Sequence, residues 1–245
     1  MKAIRAALAS WILLPALFAV ACGAPEEEAT AGGSADVTRG LLDSRPEAAV
    51  DRRTGPVREV PVDDLGFDYG TTGAPVRVLE MSDFGCGYCR QFHLETWPTL
   101  REEFVENGRV EWKFVPYVTG MFDNSLAATR AAECALEQSE QAFEALGERI
   151  WRDQREWKGS GDAAALIRGW AVEEGVDAAP YDTCLAEGRR FDRVAAGGRL
   201  ARELGVRGTP TFFVIGYPPL QGALPLETFR QVLTAVHAQE TQGSN

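Results

Sequence analysis

The sequence predicts one α/β domain interrupted by an all-helical insertion, and three observations lead to this fold class. A strand pattern, a helix pattern and a second strand pattern follow one another between residues 74 and 118. Helical periodicity alone then extends from about residue 122 to residue 204. A strand, a turn, a short strand and a final helix follow, and these last strands must rejoin the first ones to complete a single sheet.

The first block has the order of a βαβ unit. The apolar run VRVLEM at residues 76–81 predicts a buried strand, and residues 109–118, RVEWKFVPYV, predict a second strand. The intervening residues carry helical spacing, and Gly108 lies where this helix should end. Pro98 predicts a kink within the helix, because proline removes a backbone hydrogen bond.

The second and third blocks complete the domain, which we place at residues 57–245. The insertion, at about residues 122–204, is Ala-rich and shows no convincing strand. Residues 209–240 then read as strand, turn, short strand and helix. A globular region of about 180 residues is the size of one domain and can bury a sizeable core.

The first residues have the pattern of a secretory signal peptide, which we place at residues 1–21. Lys2 and Arg5 precede an apolar run of about 15 residues, whereas a membrane-spanning helix needs roughly 20. The following Cys22 resembles the lipidated cysteine of a bacterial lipobox, and ordinary cleavage after Ala21 is the alternative. Residues 22–56 are polar and small, which predicts a flexible tether to a lipid anchor at Cys22.

The chain is strongly acidic, with a formal net charge of −11. Removal of Lys2 and Arg5 with the signal peptide takes away two positive charges and leaves −13. Nucleic acids and anionic lipid surfaces attract basic patches, so neither is predicted as a partner. An exported chain lies in a compartment where disulfides persist, here the periplasm or cell envelope.

Cys86 and Cys89 form a C-x-x-C motif between the first strand and the following helix. A cysteine at a helix start is close to unpaired backbone N–H groups, which favour its thiolate. Cys89 lies one turn further and can attack a mixed disulfide formed at Cys86. Gly87 and Tyr88 between them are expected to tune the redox potential and access. Zinc sites also use this spacing, but the strand-to-helix position in an exported chain favours redox chemistry.

A metal site has less support. Zinc needs four ligands, and the other candidates, Cys134, Cys184, His93 and His237, lack ligand spacing. Covalent haem attachment needs histidine at position 90, which is Arg90. His93, a lone histidine one helical turn past Cys89, is expected on the surface. We therefore predict no metal and no cofactor other than the redox-active cysteine pair.

Two segments, VRVLEMSDFGCGYCRQF and LGVRGTPTFFVIG, resemble those of the Dsb-type thiol:disulfide oxidoreductases, which have the thioredoxin fold. The resemblance covers roughly residues 72–236. It implies that Pro210 follows a cis peptide bond and faces the cysteine pair. It also implies that the backbone of Thr209 pairs with an extended substrate peptide, and that an acidic residue, Glu80, lies beneath the buried cysteine.

Glu80 is a candidate for proton transfer to or from Cys89. A carboxylate in so apolar a run is costly to bury unless it is neutralised or paired. The alternative is a carboxylate at a strand end that points into solvent.

Two further cysteines, Cys134 and Cys184, lie in the helical insertion. In an oxidising compartment we expect them to form a structural disulfide, and the alternative is two buried thiols. The aromatic residues Phe84, Tyr88, Phe212 and Tyr217 are predicted to rim the groove around Cys86. The tryptophans of the domain are expected in the core.

The resemblance predicts an enzyme that exchanges disulfides with cysteine-containing exported proteins and is served by a membrane redox partner. We favour the oxidase direction. A reductase or isomerase is the alternative, because the Gly87-Tyr88 pair with Thr209 before the proline looks like the isomerase branch. A thioredoxin-like binding or metal-delivery module is a third possibility. The presence of Cys86, Cys89, Pro210 and Glu80 together favours catalysis over binding.

Overall fold

The structure is a computed structural model that describes residues 60–242. The predicted signal peptide (1–21), the lipidation site Cys22 and the tether (22–56) lie outside these residues. Across 60–242, no helix combines the length and the apolar character that a bilayer-spanning segment needs.

A five-stranded mixed sheet forms the centre of the domain. Its strands are β1 (Phe67–Tyr69), β2 (Val76–Ser82), β3 (Val110–Pro116), β4 (Thr211–Val214) and β5 (Leu220–Gln221). The strand order is β1-β3-β2-β4-β5, with β2 and β3 parallel and the other neighbours antiparallel. The predicted βαβ unit and the predicted return of the last strands to the same sheet are confirmed.

Nine α-helical segments accompany the sheet in the described residues. They are α1 (Gly87–Gln91), α2 (Trp97–Leu100), α3 (Ser125–Leu136), α4 (Glu140–Arg152), α5 (Gln154–Trp157), α6 (Ala163–Glu173), α7 (Ala178–Glu187), α8 (Phe191–Glu203) and α9 (Leu226–Gln242). Helices α3 to α8 form the predicted insertion between β3 and β4 without an intervening strand.

The helix after β2 is irregular around Pro98. Alpha-helical α1 and α2 are continued by two π-helical turns, Phe92–Thr96 and Arg101–Val105. Pro98 lies near the start of α2, directly after the first π-helical turn, where a missing N–H costs least. Gly108 ends this helix with a φ of +73°, a backbone conformation that favours glycine.

Strand β1 is the element that the sequence analysis missed. It has three residues and follows Gly66, whose φ is +59°. The α-carbon of Gly66 lies so close to β3 that an added Cβ would be 1.9 Å from the Phe114 carbonyl oxygen. Its pairing with β3 joins residues more than 40 positions apart. So short a strand carries almost no periodicity, so only this long-range pairing reveals it.

The central strand β2 places apolar side chains on both faces of the sheet, because successive residues of a strand point to opposite faces. Helices cover both faces. One face packs Val78 against the helix after β2 and against α9. The other packs Leu79 and Met81 against α8. The insertion packs against the sheet around a third cluster, which also contains Phe67 and Phe114. Within this cluster Cys134 and Cys184 form a disulfide with Cα atoms 5.8 Å apart.

Candidate active site

Cys86 lies at the junction of the β2 loop and the first helix, as the N-cap residue of α1. Its side chain faces the loop before β4, where the Thr209–Pro210 peptide bond is cis. The thiol donates a hydrogen bond to the backbone carbonyl oxygen of Thr209, with a sulfur to oxygen distance of 3.3 Å. The structure therefore brings Cys86, Thr209 and Pro210 together across 123 positions of sequence.

The surroundings of Cys86 stabilise its thiolate. A hydrogen bond from the Cys89 thiol is the largest influence, and it outweighs the opposing effect of burial. The Thr209 side chain and the backbone N–H groups of Tyr88 and Cys89, in the first helical turn, lower the pKa further. Together these contacts lower the pKa of Cys86 from 9.0 to about 6. The sulfur is a thiolate at neutral pH, the form that attacks disulfides.

Cys89 has the opposite character. It is fully buried, and both sulfurs are free thiols in this structure. Burial raises the pKa of the Cys89 thiol well above its ordinary value, and the neighbouring Cys86 raises it further. The Ser82 side chain and the Asp83 backbone offset part of this rise. The pair therefore combines an ionised outer sulfur with a protonated inner one.

Glu80 lies beneath this pair, inside the sheet, with no exposed surface. Its Oε1 accepts hydrogen bonds from the Ser82 hydroxyl at 2.5 Å and binds Nε2 of His93 at 2.8 Å. Its Oε2 accepts from the Trp112 indole N–H at 2.9 Å. Three partners offset the cost of burying the carboxyl group, so the solvent-exposed alternative is wrong. Ser82 connects this carboxyl group to Cys89.

The surface position predicted for His93 is wrong. The residue is 8% exposed and lies in the first π-helical turn, with its ring stacked on Trp151 at a centroid distance of 4.5 Å. Cys89 and His93 are four residues apart, so they share the inward face of the helix. The hydrogen bond to Glu80 pairs the imidazole with a partner that local sequence does not reveal.

The helical insertion supports the active-site loop through Gln154. This buried side chain donates hydrogen bonds to the carbonyl oxygens of Phe84 and Cys86, at 2.6 and 2.9 Å. The side chain thereby ties α5 to the residue that carries the outer thiol. Sequence analysis missed Gln154 because 68 residues separate it from Cys86.

Sequence analysis also missed Ser82 and Trp112. Ser82 lies two residues after Glu80 on β2 and therefore on the same face of the strand, a period-2 relation that could have identified it. Trp112 comes from the neighbouring strand β3, whose register with β2 local sequence does not show.

The predicted aromatic rim of the groove is only partly correct. Phe84 and Phe212 are buried core residues, because both point into the packed faces of the sheet and insertion. Tyr217 packs beside α9 and hydrogen-bonds Gln239 there. Tyr88 is 67% exposed next to Cys86 and is the member of the four that is available to a substrate. Among residues 60–242, no group of three or more His, Cys, Asp or Glu side chains is arranged to hold a metal ion.

Comparisons with known proteins agree with this geometry. The family model for thioredoxin matches residues 65–235. A probable disulfide bond formation protein D of Bacillus cereus is 26% identical over 151 residues, which cover 60% of this chain and 68% of that protein. The Na(+)/H(+) antiporter NhaA 3 of Salinispora tropica is 35% identical over 160 residues, or 64% of this chain. These residues are 23% of the antiporter, so the likeness concerns one part of it.

The crystal structure of Wolbachia pipientis alpha-DsbA1 superposes with a TM-score of 0.65 at 18% sequence identity. The match covers 73% of this chain and 94% of that one. At this identity the likeness concerns the fold. The family model spans more than half of the sequence and the shared fold agrees with it, so the chain belongs to the thioredoxin family.

Proposed function

We propose that this chain is an exported thiol:disulfide oxidoreductase that donates the Cys86–Cys89 disulfide to cysteines of other exported proteins. The observation that carries the proposal is the placement of Cys86 at the start of α1, facing the cis-Pro210 loop, with Cys89 buried beside it. This setting lowers the pKa of Cys86 to about 6 and raises that of Cys89. A stabilised thiolate favours the reduced form of the enzyme, which makes its disulfide a stronger oxidant. The names of the Bacillus relatives, disulfide bond formation proteins, support the same direction.

In the oxidising direction, a substrate thiolate attacks the Cys86 sulfur of the enzyme disulfide. The bond between Cys86 and Cys89 breaks, Cys89 leaves with the electron pair, and it takes up one proton. A second substrate thiolate then attacks the substrate sulfur of the mixed disulfide and releases Cys86 as a thiolate. The substrate is oxidised and the enzyme reduced by two electrons, so the cysteine pair is the redox group and no further cofactor is needed.

Six residues are proposed to assist these steps. The backbone of Thr209, held beside Cys86 by the cis bond to Pro210, is placed to pair with an extended substrate chain. Glu80 is placed to supply or accept the proton of Cys89 through Ser82. Exposed Tyr88, with Gly87 beside it, offers an apolar contact for an unfolded substrate.

A reductase or isomerase is the second candidate. The Gly87-Tyr88 dipeptide and Thr209 before the cis-proline favour it, because they resemble the isomerase branch. An isomerase needs a reduced enzyme in the cell, whereas an oxidase is kept in the disulfide form.

We further propose that the chain is anchored outside the cytoplasm by a lipid on Cys22 and reoxidised there by a membrane redox protein. The signal-like residues 1–21 and the cysteine that follows them support this location. Labelling of cells with a fatty-acid analogue tests the anchor. The wild-type chain should incorporate the label and Cys22→Ala should not, while equal labelling of both chains contradicts the proposal.

Trapping of mixed disulfides tests the enzymatic role. Cys89→Ser removes the resolving thiol, so complexes at Cys86 should accumulate with exported proteins and dissolve on reduction. Cys86→Ser is the matched control, since it keeps one sulfur in the same motif but loses the attacking thiolate. If Cys89→Ser traps no more protein than Cys86→Ser, disulfide exchange at this site is rejected.

A further inference from the structure

A cavity of about 490 Å³ lies beside the active site, between the helix after β2 and helix α4. Aromatic side chains form its inner wall, and charged side chains that are exposed to solvent stand at its rim. The aromatic group comprises Tyr69, Phe84, Trp97, Phe114, Phe143 and Trp151. The exposed rim contains Glu102, Glu106, Glu148 and Arg152. A volume of this size holds several water molecules and communicates with solvent at its rim.

His93 is the residue that connects this cavity to the buried carboxyl group. Its side chain lines the cavity and keeps 6% of its surface exposed, while Glu80 beneath it has none. Nε2 lies 2.8 Å from Oε1 of Glu80. An imidazole can accept a proton at one ring nitrogen and release one at the other. With Nε2 engaged by Glu80, Nδ1 is the atom left to exchange protons with water.

The buried cysteine creates the need for such a connection. Cys89 must lose or gain one proton each time the enzyme disulfide forms or breaks, yet it has no contact with solvent. Glu80 can take that proton through Ser82, but the carboxyl group is equally buried and must return to its starting state before the next turnover. Reaching solvent requires a further group.

We propose that His93 carries this proton between Glu80 and the water of the cavity, so that the buried half of the cysteine pair exchanges protons through the back of the active site. This inference rests on the proposed disulfide exchange. His93 touches no substrate and acts through Glu80. Its position in a π-helical turn, which places its ring over the carboxyl group, is a local geometry often found at functional sites.

The proton balance is simplest for the step in which Cys89 resolves a mixed disulfide. The Cys89 thiol passes its proton by way of Ser82 to Glu80, and the new thiolate attacks the Cys86 sulfur. The bond between Cys86 and Cys89 forms, and the substrate sulfur leaves as a thiolate with the electron pair. In the tautomer with its hydrogen on Nδ1, the His93 ring accepts the Glu80 proton at Nε2 and releases the Nδ1 proton to water, which leaves the ring with its hydrogen on Nε2. In the reverse sequence, Nδ1 takes a proton from water and Nε2 passes one to Glu80. This sequence protonates Cys89 when the enzyme disulfide is broken and restores the first tautomer.

Several titratable or charged groups line the cavity around His93. Besides Glu80 on β2, they are Tyr69 on β1, Arg101, Glu102 and Glu106 at the C-terminal end of the helix after β2, and Glu144, Glu148 and Arg152 on α4. Arg101 is paired with Glu144 and Glu106 and lies over the Tyr69 ring. Burial raises the pKa of Tyr69, so its hydroxyl stays protonated. The carboxylates therefore outnumber the cations around the cavity.

Rapid mixing of the reduced protein with oxidised glutathione tests the proposal. Acid quenching and mass spectrometry separate the attack by Cys86, which depends on disulfide concentration, from resolution by Cys89, which does not. His93→Ala should leave the attack unchanged and slow resolution at least about tenfold. Added imidazole, which fits the cavity, should restore resolution, and imidazoles of graded pKa should restore it to graded extents.

Two further variants complete the design. His93→Gln retains a donor to Glu80 but has no group that can take up and release a proton, so it should resolve the mixed disulfide slowly. Its side chain also fills the place of the imidazole ring, so added imidazole should increase its rate of resolution little. Leu94→Ala, on the neighbouring residue of the same cavity wall, should resolve at the wild-type rate. Wild-type resolution by both His93 variants, or no response of His93→Ala to any imidazole, overturns the proposal. Loss of the Cys86 attack in the wild-type protein instead rejects the disulfide exchange itself.

Discussion

The hydrogen bond from the Cys89 thiol is the largest influence that lowers the pKa of Cys86, and Cys89→Ala removes it. A hydrogen bond to a charged group contributes about 1.5 to 3 kcal/mol. One pKa unit corresponds to about 1.4 kcal/mol, so the lost bond is equivalent to roughly 1 to 2 units. The pKa of Cys86 should therefore rise from about 6 into the range of about 7 to 8. Cys89→Ser retains a hydroxyl donor and should stay close to the wild-type value.

Thiolate absorbance at 240 nm, or the rate of alkylation by iodoacetamide, measures this pKa against pH in the reduced protein. Cys86→Ser supplies the baseline from other cysteines. At pH 7 a pKa of about 6 leaves about 90% of Cys86 ionised, compared with about 1% at the ordinary 9.0. A wild-type midpoint near 9, or an unchanged midpoint in Cys89→Ala, would refute the assignment of this hydrogen bond as the cause.

Three further predictions concern stability. The folded-state pKa of Cys86 is lowered, so its thiolate stabilises the reduced protein fully above the ordinary pKa, and this stability is lost as pH falls through about 6. Relative to Cys86→Ser, urea unfolding should therefore show that the free energy of unfolding falls by about 1 kcal/mol between pH 7 and pH 5. Replacing Cys134 and Cys184 together by Ala opens a loop with a sequence separation of 50, so the free energy of unfolding measured in urea should fall by about 4 kcal/mol. A fall below about 1 kcal/mol contradicts the loop-entropy reasoning. Gln154→Ala leaves two buried carbonyl oxygens without this donor, so thermal unfolding should show a free energy of unfolding lower by about 1 to 3 kcal/mol. An unchanged melting temperature would count against a supporting role of Gln154.

Much of the site could be predicted because its central residues lie in two short segments. The C-x-x-C spacing and its place between a strand and a helix led to Cys86 and Cys89, and the second segment led to the cis bond before Pro210. Glu80 was identified from the same resemblance, and its apolar neighbours made a buried carboxyl group costly unless paired. These predictions depend on two local motifs and on the family resemblance that they carry.

The residues that sequence reasoning missed or misplaced depend on pairing between distant segments. His93 was expected in solvent because its hydrogen-bond partner, Glu80, lies on a strand and not on its own helix. Its spacing of four from Cys89 could have indicated the buried face, since that cysteine was expected inside. Trp112 and Gln154 reach the site only through sheet register and the packing of the insertion, which no local pattern encodes.

The reduction potential of the Cys86–Cys89 pair, measured against pH, tests the central claim most directly. Each proton taken up on reduction by two electrons contributes a slope of about 30 mV per pH unit. Below the pKa of Cys86 both sulfurs bind a proton, and above it only Cys89 does, so the slope should change from about 60 to about 30 mV per pH unit near pH 6. An oxidase also requires a potential well above that of thioredoxin, about −270 mV. A strongly reducing potential with an unbroken slope through pH 6 would contradict both the stabilised thiolate and the proposed direction of electron flow.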